Sequence, residues 1–194
     1  MKSVSSIKQT IDVCITLSLV ICGLLVLLAS NQLFAAIFPS SLNGIETRIQ
    51  LEPHIFELDN KALTKPLLLT GIFSSCKSTC PVNINQLRLV NNHYQEELNY
   101  LFISLQPETD SVDTLMAYVD DFSPKMYLQI PADNQAVSQL MASLPENYSS
   151  NDKNTHHAGY VYLYHPNAKG LITYRSPNNQ HIIDDLLTLQ SRGN

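Results

Sequence analysis

The chain has no excess of positive charge. Twelve lysines and arginines face seventeen aspartates and glutamates, a net charge of −5. That argues against a nucleic-acid partner, which calls for a basic face. Internal repeats and low-complexity runs are also missing, and the composition is that of an ordinary folded protein. With 194 residues the chain holds one domain and an appendage, not two full domains.

Another absence is local. No charged residue occurs between Asp12 and Glu46, and Val13 to Ala29 is apolar apart from Thr16, Ser18 and Gly23. With the apolar residues after Gln32, the run approaches the roughly 20 residues a helix needs to cross a bilayer. Lys2 and Lys8 precede it and Arg48 is the first basic residue after it. The positive-inside tendency therefore places the N-terminus in the cytoplasm and the remainder outside.

A signal-peptidase site is wanting: Leu28-Ala29-Ser30 and Phe34-Ala35-Ala36 both put a large residue first. Ile21 before Cys22 likewise spoils a lipoprotein signal. Residues 1–30 are thus expected to be an uncleaved anchor, 31–45 a tether, and 46–194 an exported domain. The expected setting is a bacterial inner membrane with the C-terminal domain in the periplasm. Without residues 1–30 the chain keeps ten basic and sixteen acidic residues, a mildly acidic balance.

Cysteine is scarce too. Of four, Cys14 and Cys22 fall in the expected anchor, where they read as small apolar residues. Only Cys76 and Cys80 remain for the exported domain, in a compartment where a dithiol oxidises unless it is kept reduced or metallated.

The exported part alternates strands and helices. RIQLEPHIFELDNK predicts one or two short strands, and LLLTGIF a buried one. VNINQLRLVNNHYQEELN predicts a helix with Ile84, Leu87 and Val90 on one face. YLFISLQP and KMYLQI predict further strands, separated by a helix over SVDTLMAYVDDF that Asp110-Ser111 can cap. DNQAVSQLMASL reads as a helix, PENYSSNDKNT as a polar loop, GYVYLYHP and GLITYRS as a hairpin, and NQHIIDDLLTLQS as a final helix. This order implies an α/β fold: a mixed, thioredoxin-like sheet flanked by helices, with parallel strands joined by right-handed crossovers and an antiparallel hairpin.

Cys76-Lys77-Ser78-Thr79-Cys80-Pro81 lies between a buried strand and a helix, where α/β folds place ligand sites. The positive end of the helix dipole favours thiolate over thiol. Three intervening residues suit two thiolates opening around an ion better than the tight disulfide of a C-x-x-C motif. Soft sulfur ligands favour Cu(I), commonly with an imidazole or thioether to complete the site. A local structural disulfide is the plain alternative, although so short a loop gains little entropically.

LLLTGIFSSCKSTCPVNINQL resembles the signature of the Sco/SenC copper-chaperone family. FISLQPETDSVDTLMAYVDDFSPKMYLQI is similar to its strand, D-P-x-x-D, helix and strand, and HHAGYVYLYHPNAKGLI to its histidine, strand and turn. The three matches follow the family's order over about Leu67 to Tyr174.

The resemblance implies a copper site made of Cys76, Cys80 and His157, with His156 the immediate competitor. It also implies a metallochaperone that delivers copper to, or helps mature, the copper centre of a respiratory oxidase. The alternative is a thiol–disulfide oxidoreductase that uses Cys76 and Cys80 to keep a client's cysteines reduced for metallation. Two positions depart from the pattern: Gln106 and His156 stand where acids are usual, while Asp110 is retained. His54, His93, His165 and His181 have no spacing that links them to the cysteines and read as surface or hairpin residues.

Overall fold

The computed structural model describes residues 20–23, 41–59, 61–151 and 154–193. The expected anchor lies almost entirely outside these residues, with Cys14; of it only Val20–Gly23 are described, and they are helical. Among the described residues no helix is long and apolar enough to cross a membrane.

Residues Leu42–Asn194 form one compact unit. Its strands are β1 Ile45–Glu46, β2 Leu67–Ile72, β3 Asn99–Ser104, β4 Met126–Gln129, β5 Tyr148–Asn151, β6 Asn154–His157, β7 Val161–Tyr164 and β8 Ile172–Tyr174. Its helices are α1 Thr79–His93, α2 Val112–Val119, α3 Asn134–Ala142 and α4 Asn179–Ser191. Six strands make a sheet in the order β1-β8-β7-β2-β3-β4, and β5 and β6 pair separately.

The centre of the sheet follows from the sequence. β2 is buried along its whole length, parallel to β3 on one side and antiparallel to β7 on the other. A strand covered on both faces needs a nearly continuous apolar run, and LLLTGI supplies it, with the one hydroxyl, Thr70, donating to the Tyr160 carbonyl at 3.0 Å. Alternation then splits the side chains between two cores. Leu68, Tyr100 and Phe102 face α1, α2 and α4, while Leu67, Leu69, Leu101 and Ile103 face α3. This is the thioredoxin-like layering that the alternating pattern predicts.

Three expectations change. RIQLEPHIFELDNK forms no strand among its described residues. Pro53 has no amide to donate, and the amides of Phe56 and Leu58 both turn back to its carbonyl, which buries Leu51, Phe56 and Leu58 under the sheet. α1 starts at Thr79 and ends at His93. Pro81 falls in its first turn, where helix amides have no intrahelical acceptor, so its missing donor costs nothing there. At the other end Tyr94 leaves the helix for extended backbone and is buried. The polar loop becomes the β5–β6 hairpin, in which Ser150 faces Thr155 through a 3.2 Å hydroxyl pair.

Residues 42–45, the end of the expected tether, belong to the compact unit. The Asp185 carboxylate on α4 accepts from the Asn43 and Gly44 amides, the Asn43 side chain and the Tyr174 hydroxyl, at 2.7–3.0 Å. That places β1 beside β8.

Candidate metal centre

The cysteine loop leaves the carboxyl end of β2 and is fastened to its neighbours before it reaches α1. Asp110 Oδ1 accepts from the Ser74 amide at 2.9 Å and the Ser74 hydroxyl at 2.6 Å; Oδ2 accepts from Ser104 at 2.6 Å. The Tyr118 hydroxyl donates to the Ser74 carbonyl at 2.8 Å. Asp110 therefore ties the loop to β3, and the cap of α2 falls to Ser111, whose hydroxyl accepts from the Thr114 amide. A carboxylate with three short donors costs less to bury than one without partners.

Cys76 and Cys80 are 6% and 2% exposed. Cys80 lies in the first turn of α1, and its amide donates to the Cys76 sulfur at 3.2 Å. Ser78 makes no side-chain cap, so the Cys76 sulfur takes the place of a capping oxygen. Burial pushes the Cys80 thiol far above the ordinary cysteine range; the hydrogen bond and charge of Cys76 push the same way. Cys80 therefore holds its proton at neutral pH until something displaces it. Both cysteines are free thiols.

His157 ends β6, opposite Tyr148. One ligating atom each from Cys76, Cys80 and His157 lie within 4.8 Å of one another. His156, the neighbour on the strand, is exposed and pairs across the hairpin with Ser149. Strand alternation sends successive side chains to opposite faces, which separates the two histidines. Burial lowers the His157 pKa, so the imidazole stays neutral, the form that can donate a lone pair to a metal. Its ring meets the Phe73 ring edge-on, 5.7 Å between centroids.

Four residues that the motifs do not mark build the histidine side. Gly159 has φ +67° and a Cβ there would stand 2.2 Å from Thr79 Cγ2, so the chain after His157 can press against α1 only through glycine. Asn83, one turn beyond Thr79 on the same helix, donates to the Gly159 carbonyl at 2.7 Å and is buried. Glu146, before β5, accepts from the Ala158 and Gly159 amides at 2.6 and 3.2 Å and from the Tyr162 hydroxyl at 2.5 Å. Burial raises its carboxyl pKa while these donors oppose the rise. Thr155 accepts from the Gln106 side chain at 3.1 Å, and Gln106 in turn accepts from Ser75 at 2.9 Å. Gln106 thus links the cysteine loop to the histidine strand.

The other histidines stay apart from this cluster. His54, His93 and His181 are exposed. His165 is buried in the β7–β8 turn, where its Nδ1 accepts from the Asn167 amide at 3.1 Å.

A thioredoxin-like domain with two buried cysteines four residues apart and a converging histidine defines a class of soft-metal or dithiol proteins. The sequence profile of the SCO1/SenC family matches residues 58–190, and the chain belongs to that family. It is 29% identical over 118 residues to bovine "Protein SCO2 homolog, mitochondrial"; the match covers 55% of this chain and 43% of the relative, so the chain spans less than half of that protein's length.

Among solved structures it is similar to Arabidopsis thaliana ScoI with copper bound, with TM-score 0.52, 19% identity, and 68% and 88% of the two chains covered. Yeast Sco1 aligns with TM-score 0.54 and 22% identity over 66% and 85%. BsSco, described as a member of the Sco family of cytochrome c oxidase assembly proteins, aligns with TM-score 0.55 and 13% identity over 78% and 98%. At these identities the structural likeness speaks for the fold.

Proposed function

We propose that this protein is a membrane-anchored copper metallochaperone. It holds Cu(I) between Cys76, Cys80 and His157 and passes it to, or helps mature, the copper centre of a respiratory oxidase. The observation that carries the reading is the convergence of two sulfurs and one imidazole nitrogen within 4.8 Å. Two soft thiolates and one imidazole fit Cu(I) rather than a hard cation. Relatives of the same fold have been solved with copper bound, and one is described as belonging to oxidase assembly proteins.

The chemistry at this chain's own residues is proton release and the positioning of the ligands. Loading requires Cys80 to give up the proton that burial holds there, while neutral His157 needs no proton loss to donate. The Asp110 and Gln106 hydrogen bonds keep the two sides of the site in place during exchange. The apolar segment 13–29 supports a bacterial inner-membrane anchor that keeps the site on the periplasmic surface beside its client.

The second reading, a thiol–disulfide oxidoreductase, draws on the contact between the Cys80 amide and the Cys76 sulfur, which holds the two cysteines side by side. It needs no histidine. Competition titration of the reduced full chain with Cu(I) separates the two. The chaperone predicts one copper per chain, lost in Cys76→Ser and Cys80→Ser, weakened in His157→Ala and unchanged in His156→Ala. Disulfide-reductase turnover that needs both cysteines, with Cu(I) affinity indifferent to His157, would select the enzyme instead.

A further inference from the structure

The Glu146 carboxylate lies outside the three-residue donor set, yet its Oε1 stands 3.9 Å from His157 Nδ1. The two side chains are 1% and 5% exposed. His157 Nδ1 has no hydrogen-bond partner, one of few such buried polar atoms among the described residues. An orphaned buried nitrogen is costly and calls for a partner. We propose that Glu146 is the positioning residue for His157: it accepts a hydrogen bond from Nδ1–H, fixes the tautomer with a bare Nε2, and presents that nitrogen to the cysteine sulfurs. The inference rests on the metal reading above and deepens it.

Two features of the site support this role. The carboxylate is held by donors from the residues that follow His157, the amides of Ala158 and Gly159, and by Tyr162 on β7. It therefore moves with the backbone that carries the ring. The gap is also small: roughly 1 Å of ring rotation brings 3.9 Å within the ordinary 2.7–3.2 Å of an N–H···O bond.

A neutral imidazole has one donor and one acceptor nitrogen. If Nδ1 is the donor, the lone pair available to a metal is on Nε2. The carboxylate–histidine–metal arrangement is a general way to orient a ligand and raise its basicity. Here the carboxylate comes from the segment that leads into the hairpin, eleven residues before the ligand in sequence, and the position before His157 is occupied by the exposed His156.

The test is long-range ¹H–¹⁵N spectroscopy of the histidine rings in the full chain, metal-free and loaded with Cu(I) alone from a competing chelator. The wild type is expected to show His157 as the Nδ1–H tautomer in both states, with Cu(I) on Nε2 and a slowly exchanging Nδ1 proton. Glu146→Gln keeps an acceptor of the same shape but removes the charge. It is expected to move that proton upfield and to weaken Cu(I) binding by about 10–100-fold.

A purely structural Glu146 predicts the Nε2–H tautomer in the metal-free wild type and no change in affinity in Glu146→Gln, and either result overturns the proposal. Metallation at Nδ1 overturns it as well. If Glu146→Gln does not fold, the wild-type tautomer still decides. If the wild type takes up no Cu(I), the chaperone reading fails by itself, and the metal-free tautomer still tests Glu146.

Discussion

A Cβ at position 159 would stand 2.2 Å from Thr79 Cγ2 on a backbone with φ +67°, so one residue sets how closely the histidine strand approaches the cysteine helix. Gly159→Ala combines left-handed strain with a clash and is expected to cost about 1–3 kcal/mol. It should also weaken Cu(I) binding, because His157 lies two residues away. Thr79→Ser removes the methyl group that would collide. In the Gly159→Ala background it should therefore recover part of the loss, leaving the strain, as read from urea midpoints and Cu(I) competition. Full additivity of the two changes would mean that the contact does not matter.

Glu146 and Asn83 show why such residues escape a reading of motifs. Glu146 lies eleven residues before His157, and Asn83, although three residues after Cys80, is a polar helix residue that no ligand pattern marks. Only the turn of the β5–β6 hairpin and the packing of Gly159 on α1 bring them in. Cys76 and Cys80 were legible as a pair between a strand and a helix, and His157 by its place before a strand and a turn.

The elements differ in how firmly the sequence announces them. β2 and β3 are short, mostly apolar and buried runs, and α4 has Asn178 to cap it, its side chain accepting from the Gln180 and His181 amides. Apart from Tyr148 the β5–β6 hairpin is built from serine, threonine, asparagine and histidine, so hydrophobic alternation gives no signal, and cross-strand polar pairs such as Ser150 with Thr155 join its strands. The segment before β2 shows the reverse: an apolar pattern that looks like strands folds as a turn because Pro53 gathers its amides.

β1 has only two residues and depends on Asp185, which is 1% exposed. An asparagine there cannot accept from four donors with one oxygen. Asp185→Asn is expected to lose about 1–3 kcal/mol and to speed amide exchange at Gly44 and Thr47 ahead of the central strands. Unchanged protection at those two amides would show that β1 holds without the carboxylate.

For the molecule as a whole, acid sensitivity follows from buried imidazole. Burial lowers the pKa of His165, and of His157, below the usual value. The unfolded chain therefore takes up these protons first. Stability is full above the unfolded pKa of about 6.5 and falls as pH drops through it toward the folded value. Denaturant midpoints of the metal-free protein should decline from pH 7.5 to 5.5. His165→Asn, which keeps an acceptor for the Asn167 amide, should flatten the decline. A slope that is the same in both proteins would remove His165 from the account.

The same scale joins site and fold. Cysteine loop, helix start and histidine strand come from the carboxyl end of β2 and from the hairpin that leads into β7, its antiparallel neighbour. The sheet thus brings together residues about eighty positions apart. The copper K-edge absorption of the Cu(I)-loaded full chain tests the central claim most directly. The account predicts two sulfur scatterers and one imidazole nitrogen, with the nitrogen lost in His157→Ala and kept in His156→Ala. A sulfur-only site, or one whose nitrogen survives His157→Ala, would contradict it.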